Sequence, residues 1–203
     1  RELADRIGKM VEFILGKYGK GLVNLALAES FFEKGEDNYE VAVLANKGRM
    51  QAEAGGKIEQ CFVADGILAW LHIINGKVQE AEELLRSFYE KAEKEGAVKL
   101  LPNIQTFLVR CALYKGEWIE INRWMDQTVD ENVEFSIYDR FIYLTKVRIY
   151  IQRGKYEQAY NLLVKLQYYA EVMKRTYIQI ECRFLMAITL YRMGNEAWRE
   201  ELQ

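Results

Sequence analysis

Ile149-Tyr-Ile-Gln-Arg-Gly-Lys-Tyr-Glu-Gln-Ala159 places an apolar run, a polar pair and a glycine ahead of a second amphipathic start. The same order returns around four more glycines, so that Gly35, Gly76, Gly116, Gly154 and Gly194 stand 41, 40, 38 and 40 residues apart. The stretches they close end in Phe-Phe-Glu-Lys, Ile-Ile-Asn, Leu-Tyr-Lys, Ile-Gln-Arg and Tyr-Arg-Met. A fixed period of this length marks stacked copies of one two-element unit. Stacks of that kind build long surfaces for partners or ligands, which argues against catalysis.

Ahead of each glycine the apolar positions recur at three and four residues, as in Leu22, Leu25, Ala28, Phe31 and Phe32, the spacing of a helix. A second helix starts after it: Lys77-Val-Gln-Glu-Ala-Glu-Glu-Leu-Leu85 parallels Lys155-Tyr-Glu-Gln-Ala-Tyr-Asn-Leu-Leu163. Acidic residues near these starts suit the positive end of a helix dipole, and glycine is the natural C-terminal stop. The spacing predicts first ("A") helices at about 20–34, 58–75, 102–115, 137–153 and 176–193, and second ("B") helices at about 38–54, 77–95, 117–129 and 155–174. Leu3, Ile7, Met10, Val11, Ile14 and Leu15 share one face before Gly16, as the B helix of a preceding repeat would. The expected fold is an all-α right-handed superhelix of about five helix pairs.

The 203 residues are 50% hydrophobic and include a single proline, Pro102, enough apolar material for a continuous core and against disorder. Lys+Arg at 28 against Asp+Glu at 30 leaves a formal charge of -2 without a basic stripe, so no direct nucleic-acid contact is expected. No apolar run reaches membrane-spanning length. Cys61, Cys111 and Cys182 are odd in number and far apart, as reduced, buried cysteines of a cytoplasmic protein would be. One histidine and no clustered cysteines exclude a recognisable metal site. The first residue is not Met and the last repeat stops just after its glycine. The chain is therefore expected to be a single helical-repeat domain, 1–203, cut from a longer protein.

Gly154-Lys-Tyr-Glu-Gln-Ala159 resembles the tetratricopeptide pattern, and Ala28, Ala69, Val109, Val147 and Ala187, each seven before a glycine, fall where that pattern needs close helix contact. The longer period is similar to the helical-repeat region of MalT/LuxR-type bacterial transcriptional activators. So are Pro102-Asn-Ile-Gln-Thr-Phe-Leu-Val-Arg-Cys-Ala-Leu-Tyr-Lys-Gly-Glu-Trp118, Asp139-Arg-Phe-Ile-Tyr-Leu-Thr-Lys-Val-Arg148, Leu162-Leu-Val-Lys-Leu-Gln-Tyr-Tyr-Ala170 and Arg175-Thr-Tyr-Ile-Gln-Ile-Glu181. The resemblance implies a sensor and oligomerisation segment that answers to a small-molecule inducer or a regulatory protein and takes part in self-association of the parent. It also implies an ATPase module upstream and a helix-turn-helix downstream. ATP and DNA binding belong to that parent alone, since neither motif lies in these residues.

In tetratricopeptide-like stacks the A helices line the concave face. Six residues before the glycines stand Glu29, Trp70, Arg110, Arg148 and Ile188, and two before them Glu33, Ile74, Tyr114, Gln152 and Arg192. Positions four apart share a helix face, so Glu29, Glu33, Trp70, Arg110, Tyr114, Arg148, Gln152 and Arg192 would form a stripe running from acidic through aromatic to basic. Arginine forks bind acidic oxygens and aromatic faces stack on rings, which suits a carboxylate, a phosphate or a sugar. The competing reading makes these solvated positions and inter-repeat salt bridges. His72 falls in a column with Phe31, Ala112, Tyr150 and Leu190 and reads as a buried imidazole. Tyr138, Phe141, Tyr143 and Tyr150 read as core, and Tyr168, Tyr169 and Tyr177 as packing between the last two repeats. Trp118, Trp124 and Trp198 are assigned to B-helix portions. Neither a catalytic group nor a cofactor is expected in this segment, and the alternative function is a scaffold that holds a peptide or partner helix.

Overall fold

Each glycine of the 40-residue clock occupies the left-handed backbone region, with φ between 68° and 75°. At Gly35 this lets two bonds close the helix end: its own N–H donates to the Phe32 carbonyl at 3.1 Å, and the Glu36 N–H donates to Phe31 at 2.9 Å. That six-to-one closure satisfies carbonyls that the helix would otherwise leave open. It recurs where Lys77 donates to His72, Lys155 to Tyr150 and Asn195 to Leu190.

The computed structural model describes residues 16–128 and 139–203, which are all-α, with no strand among them. Among the described residues the α-helices are, in order, α1 Lys17–Glu33, α2 Asn38–Ala54, α3 Ile58–Ile74, α4 Val78–Lys94, α5 Leu101–Lys115, α6 Trp118–Gln127, α7 Arg140–Gln152, α8 Tyr156–Val172 and α9 Thr176–Arg192. A short 3-10 turn, Val98–Leu100, leads into α5, and another, Glu196–Leu202, follows α9. Glu40, Glu80, Glu120 and Glu157 lie in the first turns of α2, α4, α6 and α8, where a negative charge meets the positive helix end. The residues read as an N-terminal B helix and Tyr138 lie outside the described residues.

A second clock, not anticipated above, stops B helices at Gly56 and Gly96, which stand 40 apart with positive φ, and at Lys174, which takes a positive φ of 53° without being a glycine; Gly16, 40 before Gly56, also has positive φ and precedes α1. Lys57, Ala97 and Arg175 then make the closing bonds to Ala52, Ala92 and Ala170.

The chain divides into two compact units, Arg1–Lys115 and Gly116–Gln203. In the first, successive helices α1 to α5 pack on one another and α1 also reaches α3. Ala28, Val41, Ala45, Ile67 and Leu71 form one core cluster, and Ala52, Cys61, Phe88, Ala92 and Ile104 form another. Helices α1 and α2 cross almost backbone to backbone. A Cβ on Gly48 would lie 2.6 Å from Leu25 Cγ and 3.1 Å from the Gly21 carbonyl oxygen. In the second unit, α8 packs between α7 and α9, α7 also touches α9, and the terminal 3-10 turn packs on α9. Its core holds Tyr143, Leu144, Val147, Leu162, Leu163, Leu166, Cys182 and Leu185. The five small residues seven before the glycines are all buried.

Three readings need correction. His72 is half-buried, one step from the fully covered column its register implied. Tyr168 and Tyr177 are exposed, because the buried faces of α8 and α9 carry Leu162, Leu166 and Ala170, and Ile178, Cys182 and Leu185, respectively. Tyr168 stands two positions from both Leu166 and Ala170, and Tyr177 one before Ile178, so each is turned off the buried face of its helix. Tyr169 is half-buried, while Tyr143 and Tyr150 do join the core.

Candidate functional site

The stripe expected on the A helices divides between the two units. In the first unit, Arg110 on α5 is 1% exposed, its guanidinium 5.4 Å from the Trp70 ring centroid. Trp70, on α3, meets Phe107 of α5 edge-on, with centroids 5.4 Å apart and planes at 61°. Cation, indole and phenyl ring thus fasten two successive A helices, and a buried stack of this kind contributes through both packing and the ring quadrupole. One turn beyond Arg110, Tyr114 is 57% exposed. Glu29 and Glu33, on α1, face solvent.

In the second unit, Arg148 of α7 is half-buried and its Nη2 lies 2.7 Å from Oε1 of Glu181 on α9. Its Nη1 donates to the Leu144 carbonyl at 3.1 Å. The equivalent arginines of adjacent repeats therefore both tie A helix to A helix, one through an aromatic stack and one through an ion pair. Gln152 and Arg192 are exposed. Arg153 lies over the Trp118 ring at 5.7 Å and also donates to Asn122, which fastens the end of α7 to α6. Trp124 is buried, and Trp198 stands edge-on to Tyr191 at 5.8 Å.

Two charged clusters in the first unit escaped the sequence reading. Asp65, on α3, is 1% exposed. Its Oδ1 accepts from Arg49 Nε on α2 at 2.5 Å, while Oδ2 is buried without a hydrogen-bond partner. Burial pushes the Asp65 carboxyl above the ordinary aspartate range, and Arg49 pulls it only part of the way back. Burial also works against the charge on Arg49, but the bond to Asp65 leaves its pKa raised. Lys91 of α4 donates to Glu53 of α2 at 3.1 Å, which extends the cluster across a third helix. The signal was present in the sequence, since Asp65 is the one charge within Cys61-Phe-Val-Ala-Asp-Gly-Ile-Leu-Ala-Trp70.

The second cluster centres on Glu82 of α4, which accepts from Arg86 and, at 2.5 Å, from Lys115 at the end of α5. Burial opposes the Glu82 charge, but these two cations hold its pKa below the usual glutamate value. All three cysteines are free and buried. Burial raises Cys61 and pushes Cys111 up to about 11 and Cys182 up to about 12, so none presents a thiolate near neutral pH. Among the described residues no cluster of His, Cys, Asp and Glu could hold a metal ion, and no helix is long and apolar enough to cross a membrane. What the stripe offers to a ligand is a set of exposed hydrogen-bonding groups: Glu29, Glu33 and Tyr114 in the first unit, Gln152 and Arg192 in the second. Comparison with protein-family models, curated proteins and solved structures finds no match to this chain.

Proposed function

We propose that the chain is the helical-repeat sensor and assembly segment of a MalT/LuxR-type transcriptional regulator, a tetratricopeptide-like right-handed superhelix of about five helix pairs in a cytoplasmic parent protein. The observation that carries the reading is the fastening of A helix to A helix by side chains of one repeated column: Arg110 on Trp70 and Arg148 on Glu181. A stack joined in this way presents the neighbouring column, two before each glycine, to a ligand. It also lets a ligand act by changing how successive A helices pack. A small inducer or regulatory protein can shift such a stack only through unequal affinity for its two arrangements. ATP and DNA then belong to the flanking modules of the parent, and this segment performs no chemistry of its own.

The test is a thermal-shift screen of the 203-residue chain against classes of sugars, phosphates and carboxylates. At ligand concentrations about 100 times the Kd the fold gains roughly 2.7 kcal/mol, which at this size raises Tm by roughly 5–11 °C. For a ligand held by the second unit, Gln152→Ala and Arg192→Ala should erase that rise without lowering the unliganded Tm, because both side chains are exposed. A chain that ignores every small molecule but shifts with a peptide or partner helix is a scaffold, and the sensor reading fails.

A further inference from the structure

Arg49 stands between two carboxylates on different helices. Its Nε donates to Asp65 Oδ1, across the contact of α2 with α3, at 2.5 Å. Its Nη1 lies 3.6 Å from Oε1 of Glu53, one turn further along α2. The first is a hydrogen-bonded ion pair, and the second is too long to be one. The same Glu53 oxygen accepts from Lys91 of α4 at 3.1 Å.

The two carboxylates are served unequally. The Glu53 side chain is 37% exposed and reaches water as well as Lys91. Asp65 is sealed, and its Oδ2 has no hydrogen-bond partner. Arg49 therefore makes a single contact where a guanidinium fork can make two. A buried carboxylate with one oxygen unserved is costly to keep charged. The charges that act on Asp65 are Arg49 and Glu53 of α2 and Lys91 of α4. On α3 itself the buried Cys61 thiol, one turn earlier, feels the same carboxylate. Glu53 is the like charge in this set, and it is also the other acceptor within reach of Arg49.

We propose that Asp65 and Glu53 form an acid-sensitive switch on Arg49: when Asp65 takes up a proton, the guanidinium passes from Asp65 to Glu53. The proton comes from solvent and rests on the Asp65 carboxyl, and Arg49 stays charged throughout. A neutral carboxyl holds an arginine roughly half as strongly as a carboxylate does. Glu53 meanwhile keeps its charge four residues along the same helix, the spacing at which side chains meet. Burial and the Glu53 charge both raise the Asp65 pKa above the ordinary 3.8, so the hand-over starts in milder acid than an exposed aspartate needs. A tie from α2 to α3 is exchanged for a pair within α2. Glu53 then holds Arg49 and Lys91 together, so α2 keeps its link to α4. Acid loosens one joint of the first unit and leaves its neighbour closed.

The inference stands on the first unit alone and does not need the regulator reading. Its test is an NMR titration of the 203-residue chain from about pH 7 to about pH 4. It follows the carboxyl carbons of Asp65 and Glu53 and the cross-relaxation peaks of the Arg49 Nε proton. At neutral pH that proton should show a peak to the Asp65 methylene. As Asp65 titrates, ahead of Glu53, the peak should fade and one to the Glu53 side chain should replace it. Asp65→Asn, neutral at every pH, should show the Glu53 peak already at neutral pH. Glu53→Gln removes both the like charge and the receiver. It should lower the Asp65 midpoint and keep the peak to Asp65 throughout, with circular dichroism unchanged. The wild-type titration and Glu53→Gln decide the matter even where Asp65→Asn does not fold. An Arg49 proton that stays with Asp65 through its titration overturns the switch. So does a Glu53 that titrates first, or a Glu53→Gln chain in which Arg49 still leaves Asp65.

Discussion

The two units of this chain follow one sequence period but hold together by different physics. The first is threaded by ion pairs, two of them centred on buried carboxylates: Arg49 on Asp65 and Glu82 between Arg86 and Lys115, with Lys91 on Glu53 nearer the surface. The second joins its helices through a dense apolar cluster around Tyr143, Leu163 and Leu166, with the Arg148–Glu181 pair at its margin. Repeat spacing fixes where helices start and stop; it leaves open whether oil or ions join them. Apolar burial is insensitive to salt and to mild acid, whereas ion pairs respond to both. The two units should therefore part company when conditions change.

The largest effect should come from cutting into the apolar unit. Leu166→Ala removes a fully buried side chain and should cost about 2–5 kcal/mol, read by hydrogen exchange as faster opening of α7, α8 and α9 at low and high salt alike. In the charged unit, Asp65→Ala leaves Arg49 without its buried acceptor. Because that guanidinium is about one-third exposed, the loss should be about 1–3 kcal/mol, confined to α2 and α3 in the same experiment.

Acid should sharpen the contrast. The folded pKa of Glu82 is held down, so its contribution is present above the ordinary value of 4.5 and is lost as pH falls below it. Asp65 runs the other way. Its folded pKa is raised, so the fold favours its protonated form, and its contribution declines as pH rises above 3.8. Melting curves from pH 7 to pH 3 should accordingly flatten in Glu82→Gln and steepen in Asp65→Asn. Equal slopes in the two variants would mean that the carboxylates are not opposed. The smallest effect concerns Lys174, the non-glycine residue at positive φ. Lys174→Gly should raise stability by up to about 1 kcal/mol, seen as a slightly later melt of α8 and α9.

Most of the fold was legible because glycine is tied to positive φ, and the five clock glycines bracket helices whose observed bounds lie within a few residues of those expected. The second clock went unread because glycine does not continue it: Ser136 stands 40 residues after Gly96, and Lys174 takes the later stop. The binding stripe was legible only as a set of positions. Nothing in one column says whether an arginine faces open solvent or the next helix. Arg110 is drawn onto Trp70 by Phe107, three residues earlier on α5, a pairing that appears only once the helices are packed. Tyr168 and Tyr177 misled because aromaticity was weighed without helical phase. The same phase count, applied to the last A helix, sets Tyr177 apart from its buried face of Ile178, Cys182 and Leu185.

The three sealed thiols give the molecule a set of internal stopwatches. Cys61 and Cys111 sit in the first unit and Cys182 in the second. A thiol reagent added at neutral pH reaches each only when its own surroundings come apart. The order in which the three are trapped would then be a fraying sequence written by the protein itself, with no label introduced and no residue changed.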